Sequence, residues 1–581
     1  MLELVLKQAG ESEPGFARKT VKWAITCTVQ GRYTGVVPLG EAKGRSFDRC
    51  PHLTQPELVG GSEPRAHFLV EGLPTVALFF DDKATSEKRE QFAAKHDWYV
   101  RLLRESARDA PYLDAAARML GDREVLTHIQ ADLKQARAKP TELGVVRVED
   151  INPLERDDWY AWWRAFRAGL APPGTAGALR MMRCVVTGQC VEPAATHPKV
   201  KGLAGVGGLG MGDVLAGYDK AAFQSYGLEQ SANAAMSEAT ATAYVETLNR
   251  LIAEKGTKLG NALSVYWFTG QDTPPTQDDV MSWYTQPPEQ SAGAAERRAR
   301  ELLTAIRAGR RPDLACSRFV ALLLSGAAGR VMVREVMQGS FEELAAHTEA
   351  WFRDLAIMAR DGGELARDPK FLAVAGSLVR DLNDLPSPWL QQLWRAAVTG
   401  GLIPAAALAQ AVIRARLDVI ADKPASHARM ALIKAYLIRN QGDTHMQPYL
   451  NPEHPKTAYH CGRALALFAR LQRAALGDVG AGVVQRYYSA AAQTPGLILG
   501  RLASNAKNHL NKLDAGLAAW YEGQLAEIMG RIKADIPRTL SLEEQSLFAL
   551  GYYQQIAHLR AGRKGLPEGV AEDASDTDQP E

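Results

Sequence analysis

The string HPKVKGLAGVGGLGMGDVLAGYD, starting at His197, carries the spacing G-x-G-x-x-G at Gly205, Gly207 and Gly210. Glycines at this spacing could bring the backbone against a pyrophosphate, because no side chain stands between. That chemistry also needs a strand running into the first glycine, a helix opening inside the motif and an acidic residue about 20 positions on. Pro198 and Gly202 interrupt the strand, Gly217 interrupts the helix, and Glu229 sits in YGLEQSAN, which does not resemble a strand end. The loop, with Gly208 as a further member, is therefore read as a mobile segment whose amides approach a phosphate or a groove. His197, Lys199 and Lys201 just upstream add charge or donors.

Three other arrangements fall short of a reaction. GESEPGF from Gly10 opens like a phosphate loop but has Phe16 where the lysine should stand. His96-Asp97 is a pair where a metal-dependent phosphohydrolase needs several further His and Asp ligands, and it lies in an amphipathic helix beside Trp98. Cys184, Cys190 and His197 supply three zinc-ligand types, but five residues separate the cysteines and no fourth ligand is evident. No catalytic residue, metal or cofactor is assigned.

The elements that must position these residues change character along the chain. TVKWAITCTVQGRYTGVVPLG has two β-rich runs around Gln30-Gly31, a hairpin signal, and HFLVEGLPTVALFF offers further strand-like segments. From Ser86 to Leu120 apolar residues recur at helical spacing, and APPGTAGA after the WYAWW cluster reads as a linker. A second α/β region holds RCVVTGQCV, the glycine loop, a helix from Ser237 to Glu254, SVYWF at 264–268, the apolar run from Phe319 and a helix from Phe341 to Met358. Beyond ARDGGELARDP only helical periodicity remains, to about Ala561. Leu517, Tyr521, Leu525, Ile528 and Ile532 then line one face for a bundle. The expected fold class is α+β, a mixed α/β N-terminal two-thirds followed by an all-helical bundle. Its regions are 1–180, 181–365 with the glycine-rich loop, 366–565, and an acidic tail at 566–581 whose composition suggests disorder.

With 581 residues, 46% apolar and 23% charged, the chain suits two or three soluble domains. No export signal or membrane-length apolar run is visible, which favours the cytoplasm, and six scattered cysteines favour free thiols. The net charge of +2 conceals six acidic tail residues, Glu568 to Glu581, that no base offsets. Between Arg429 and Lys512 eleven Lys and Arg face three acids. In YHCGRALALFARLQRAAL, Arg463 and Arg470 lie seven apart on one helical face with Arg473 three further, opposite Leu465, Phe468 and Leu476. With Arg486, Arg501, Lys507 and Lys512, and with Tyr487 and Tyr488 for stacking, this is either a surface that tracks a phosphate backbone or an ordinary bundle face. GAAGRVMVRE adds Arg330 and Arg334, on one side of either a helix or a strand.

Several long strings, in order and at the right separations, resemble the large subunit of the type I-C CRISPR surveillance complex, Cascade. They are VKWAITCTVQGRYTGVVPLG, CVVTGQCVEPAATHPKVKGLAG, FQSYGLEQSANAAMSEATATAYVETLN, SGAAGRVMVREVMQGSFEELAAHTEAWFRDL, ARMALIKAYLIRN, and YHCGRALALFARLQRAALGDV through RYYSAAAQTPG to SLEEQSLFALGYYQQ. The resemblance implies a non-enzymatic subunit that works with a CRISPR guide RNA, double-stranded target DNA, backbone and processing subunits and a recruited helicase-nuclease, away from any membrane. It further implies inspection of the protospacer-adjacent motif, with sequence matching left to guide–target pairing. Residues placed by this reading at the duplex are Lys199, Lys201, Gly205, Gly207, Gly208, Gly210, Asn233, Arg330 and Arg334. Those placed along the displaced strand are Arg463, Arg470, Arg473, Arg486, Arg501 and Lys507. Two other classes stay open: a nucleic-acid-processing or nucleotide-binding enzyme using GVGGLG or His96-Asp97, and a scaffold that touches only protein.

Overall fold

Trp23–Cys27 and Tyr33–Pro38, both rich in β-branched and aromatic residues, pair antiparallel as the expected hairpin in a computed structural model of the protein. Gly31 takes a positive φ of 80° in the connection, a conformation that glycine adopts without strain. The structure describes residues 1–561 apart from 11–12, 43, 61–62, 171–180, 271–273, 288–290, 478, 481 and 533–535. The acidic tail and the APPGTAGA linker therefore lie outside the described residues. The structure is 51% helical and 14% strand, with sheets in the N-terminal part and helices toward the C-terminus, so the fold class is α+β.

Packing divides the chain into two units: Met1–Glu254 with Gly326–Met332, and Lys255–Ser325 with Val333–Glu581. In the first, β1 (Phe16–Val21) pairs antiparallel with β4 (Arg45–Pro51). A four-stranded sheet has the order β3-β2-β6-β5, where β2 is Trp23–Cys27, β3 Tyr33–Pro38, β5 Glu71–Gly72 and β6 Leu143–Val148. β2 and β6 are parallel, which requires a long crossover. The helices Ser86–Ser106, Leu113–Leu120 and Arg123–Gln135 lie within it, and they bury Tyr99, Leu102, Leu113 and Ile129 in the same core as Trp159 and Trp163. HFLVEGLPTVALFF departs from its strand-like appearance. Only Glu71–Gly72 is strand, and Leu73–Val76 is a short buried helix. Pro74 lacks the amide a ladder needs, and positive φ at Leu69 and Leu78 breaks the extended run. RCVVTGQCV yields only two-residue strands, β7 (Met182–Arg183) and β8 (Cys190–Val191).

The second unit has a sheet of order β12-β11-β10-β9, made from Thr257–Leu259 (β9), Ala262–Thr269 (β10), Arg318–Ala327 (β11) and Arg330–Ser340 (β12). The turn between β11 and β12 packs as part of the first unit. One apolar cluster joins Leu259, Phe319, Leu323, Trp351, Trp394, Leu432, Leu467 and Phe548, so the sheet and the C-terminal helices share a single core. The division at Glu254/Lys255 thus falls inside the region read as 181–365. Helix Thr457–Leu476 sits centrally, packed by Val483–Ala491, Pro495–Leu510, Ala515–Ile532 and Leu542–Ala561. Tyr521, Ile528 and Ile532 are buried as the spacing requires, while Leu517 at the open end of that stripe is exposed. Among the described residues no helix is long and apolar enough to cross a membrane.

All six cysteines are free thiols. Burial pushes the thiols of Cys27 and Cys50 up to about 11 and that of Cys461 up to about 12. Only the thiolate attacks an alkylating reagent. Brief treatment of the folded chain with iodoacetamide at pH about 8 is therefore expected to modify the exposed Cys190 and Cys316. Mass spectrometry should find Cys27, Cys50 and Cys461 modified only after denaturation; modification of Cys461 as fast as Cys190 would contradict this packing.

Candidate nucleic-acid interface

Within the first unit, Val200 bridges antiparallel to Asp213, and Val214 bridges parallel to Arg330. These pairings set residues 199–201, 213–214 and the β11–β12 turn side by side. Val200 points inward and is fully buried, leaving Lys199 and Lys201 exposed on either side of it. The glycine loop between them is braced. The Gly208 amide donates to the Leu203 carbonyl at 2.9 Å, and the Leu209 amide donates to both oxygens of the buried Asp213 carboxylate at 3.1 and 3.2 Å.

The glycines are explained by contact. Gly207 has φ 90°, and a Cβ there would stand 2.8 Å from the Gly326 carbonyl oxygen. A Cβ on Gly326 would collide with the Gly208 backbone. Gly207 and Gly208 therefore let the loop and the β11–β12 turn touch, and the reading of the whole loop as a mobile cradle is corrected. Gly205 and Gly210 have open space where a side chain would stand, so they still permit close approach from outside. The sequence reading missed the tip: Leu209 is 50% and Met211 82% exposed. Apolar residues interleaved with the glycines were the available signal. His197 brings no charge, for it is buried, its Nδ1 lies 3.0 Å from the Tyr244 hydroxyl, and burial lowers its pKa to about 4.

Arg330 lies 4.2 Å over the Phe223 ring and donates to the Gly217 carbonyl and to Asp219, each at 3.2 Å. Asn233, expected as a base or sugar contact, has its amide engaged inside the chain instead. Its oxygen accepts from the Ser225 amide at 3.0 Å, and its nitrogen donates to the carbonyls of Leu228 and Gln230 at 2.9 and 3.0 Å. What it clasps is a turn, Ser225–Leu228, closed by the Leu228 amide donating to Ser225. Both central residues, Tyr226 and Gly227, have positive φ, the mark of a type I′ turn. A left-handed tyrosine costs about 1–2 kcal/mol. Arg334 belongs to the second unit, where its Nε donates to the Ser325 hydroxyl at 2.8 Å.

On the helical side the second unit keeps five of the six displaced-strand residues accessible and withdraws one. Arg470 and Arg473 line a cavity of about 500 Å³ with Arg360, Lys423 and Arg560. Arg486 and Tyr487 line a groove of about 260 Å³ with Asn505, Asn508 and His509, and Gln472 borders both spaces. Arg501 sits 5.9 Å over the Tyr487 ring, and Lys507 is exposed on the same helix. Arg463 is the correction: it is 1% exposed and tied to Glu527, Gln555 and His460. Its helix has neighbours on every side, so each residue from Ala458 to Phe468 is buried and no cationic face exists there. Tyr488 is likewise buried, edge-on to Phe548 and Tyr552.

The family model for CRISPR-associated protein (Cas_Csd1) matches residues 4–560, which takes in both clusters and nearly every described element. The chain belongs to the Cas_Csd1 family. This is the family of the type I-C large subunit. Among curated proteins no match is found.

Motifs outside the two clusters are structural in the Cas_Csd1 chain. Both ring nitrogens of His96 meet backbone carbonyls, Thr75 at 2.8 Å and Leu120 at 3.0 Å, which fastens its helix to two neighbouring segments. The Cys184 sulfur accepts from the Thr187 amide. Among the described residues no group of three His, Cys, Asp or Glu side chains converges as a metal site. Around the glycine loop the described elements are a 3₁₀ turn at Ala204–Val206 and isolated bridges, without the strand-to-helix scaffold that a dinucleotide motif uses.

Proposed function

We propose that this chain is the non-catalytic large subunit of a type I-C CRISPR RNA-guided complex. In this reading it recognises the protospacer-adjacent motif on duplex DNA, aids unwinding and recruits the helicase-nuclease in antiviral defence, in the cytoplasm. One observation carries the reading most: a braced loop with an exposed apolar tip lies beside Lys199, Lys201 and Arg330. Cations fix register on phosphates, while Gly205 and Gly210, open on their outer side, let the backbone of the loop approach base edges. The partly open arginines and Tyr487 on the helical unit suit a single strand, which is held by charge and stacking.

The test is co-expression with a CRISPR array and the neighbouring subunits, followed by binding to duplexes that differ only in the flanking trinucleotide. A guide RNA of fixed length should co-purify, and affinity should depend on that trinucleotide only when this chain is present. Replacing Lys199 and Lys201 by alanine should weaken all targets and flatten the dependence on salt by roughly one unit of slope per lost phosphate contact. A pure chain that cuts DNA with added metal, or a complex indifferent to the trinucleotide, would overturn the reading in favour of an enzyme or a scaffold.

A further inference from the structure

The turn Ser225–Leu228 presents a tyrosine under conditions that its own fold does not reward. Tyr226 has φ 54° and Gly227 has φ 67°, and Tyr226 is 96% exposed. Type I′ turns favour Asn, Asp or Gly at this first central position because those residues tolerate the left-handed region. A tyrosine there is strained, and with the ring in solvent no packing offsets the strain. Strain of this kind persists only where surrounding structure imposes it, and it concentrates at functional sites. Here the imposing structure is Asn233, which spends all three of its hydrogen bonds on the backbone of this one turn and the residues flanking it.

The neighbourhood says what the ring would meet. Just upstream, Phe223 is itself partly exposed and lies beneath the Arg330 guanidinium, with Lys220 exposed beside it. Arg330 in turn is one bridge from Val214, whose neighbour Asp213 bridges the segment bearing Lys199 and Lys201. Four cations stand against exposed Asp219 and Glu229, so the surroundings favour a polyanion. An exposed aromatic ring, on a segment that shares its surface with cations, is the kind of group that stacks on a nucleobase.

We infer that Tyr226, presented by this braced turn, stacks on a nucleobase of the target DNA at or next to the inspected motif. This rests on the proposed duplex-reading role and adds a residue and a contact type to it. The turn fixes in advance the backbone that carries the ring, so binding has only the side-chain rotamers left to order.

The experiment uses the assembled complex with its guide RNA and compares Tyr226→Phe, Tyr226→Ala and Tyr226→Asn on duplexes with and without the motif. Loss of one stacked base corresponds to about 5- to 150-fold in affinity. Tyr226→Ala and Tyr226→Asn should lose that much on motif-bearing DNA, and Tyr226→Phe should stay within about twofold, because stacking does not use the hydroxyl. Asparagine suits the turn, so Tyr226→Asn should melt no lower than the unmodified chain while binding less well, a combination that mere misfolding cannot give. Unchanged affinity in Tyr226→Ala and Tyr226→Asn overturns the inference. So does failure of these variants to join the other subunits while the isolated chain melts normally, since the ring would then seat against protein. The Lys199→Ala, Lys201→Ala chain separates the two levels. If it loses DNA binding while Tyr226→Ala keeps it, only the stacking inference falls; if neither changes motif-dependent binding, the duplex-reading role falls too.

Discussion

Alanine in place of the buried Arg463 is expected to destabilise the helical unit by about 2–3 kcal/mol, since it leaves buried hydrogen-bond partners unsatisfied while the partly open Glu527 carboxylate can turn to water. The guanidinium spends its donors on three elements of the fold: Nε on Gln555 at 2.9 Å, Nη2 on Glu527 at 2.7 Å, and Nη1 on Glu527 at 3.2 Å and His460 Nδ1 at 3.1 Å. Burial lowers the pKa of His460 to about 4, so near neutral pH its ring is uncharged. Its Nδ1 is then the acceptor for Arg463, and its Nε2 donates to the His454 carbonyl at 2.6 Å. Truncation leaves a buried glutamine and an imidazole nitrogen without their partner at once. Urea unfolding followed by circular dichroism checks the magnitude. Lysine should rescue little, because a point charge cannot bridge three acceptors as the planar fork does. DNA affinity per folded molecule should stay unchanged in Arg463→Ala, whereas Arg470→Ala should lower affinity with stability kept. An Arg463→Ala chain of normal stability with weakened DNA binding would refute the buried assignment.

The contrast between these two arginines shows what a sequence carries and what it leaves out. Seven residues apart on one helix, Arg463 and Arg470 have the same chemistry and the same angular position. Only the number of neighbouring helices separates them, and periodicity within one helix does not report it. Local signals fared better. The Trp23–Cys27 hairpin, the helices from Ser86 to Leu120 and the change to helical periodicity in the C-terminal third were all legible, because strand alternation, turn glycines and helical spacing act within a few residues. The glycine loop misleads for the opposite reason. Its spacing imitates a phosphate motif, while the partner that demands Gly207 and Gly208 is the Gly326 backbone, far along the chain. The Tyr226 turn went unread in the sequence: a Tyr-Gly dipeptide occupies the place of the usual Asn-Gly, and nothing local says that Asn233 holds it.

The same substitution, glycine to alanine in a helix, is expected to have opposite signs at two places in the helical unit. Within an exposed helix alanine is favoured by about 1 kcal/mol. Gly523 and Gly530, in the helix Ala515–Ile532, have nothing within 4 Å of the point where a methyl group would stand, so alanine at either should stabilise by up to about 1 kcal/mol. Gly462 and Gly551 lie where the helices Thr457–Leu476 and Leu542–Ala561 cross, and they face each other's backbones. A Cβ on Gly551 would collide with the Tyr459 carbonyl, and one on Gly462 with the Phe548 carbonyl. Neither obstacle is the end of a flexible side chain, so relief requires the helices to part. Parting them strains the Tyr459 hydroxyl bond to Gln554 at 2.5 Å and the Arg463 bond to Gln555, both of which span this pair. Overpacking of a fitted core costs about 1–3 kcal/mol and more where backbone must move, so Gly551→Ala should destabilise by about 3 kcal/mol despite its better helix propensity. Thermal unfolding of Gly551→Ala, Gly462→Ala and Gly523→Ala side by side decides it. A rise in midpoint for all three would mean that the two helices do not cross at these glycines.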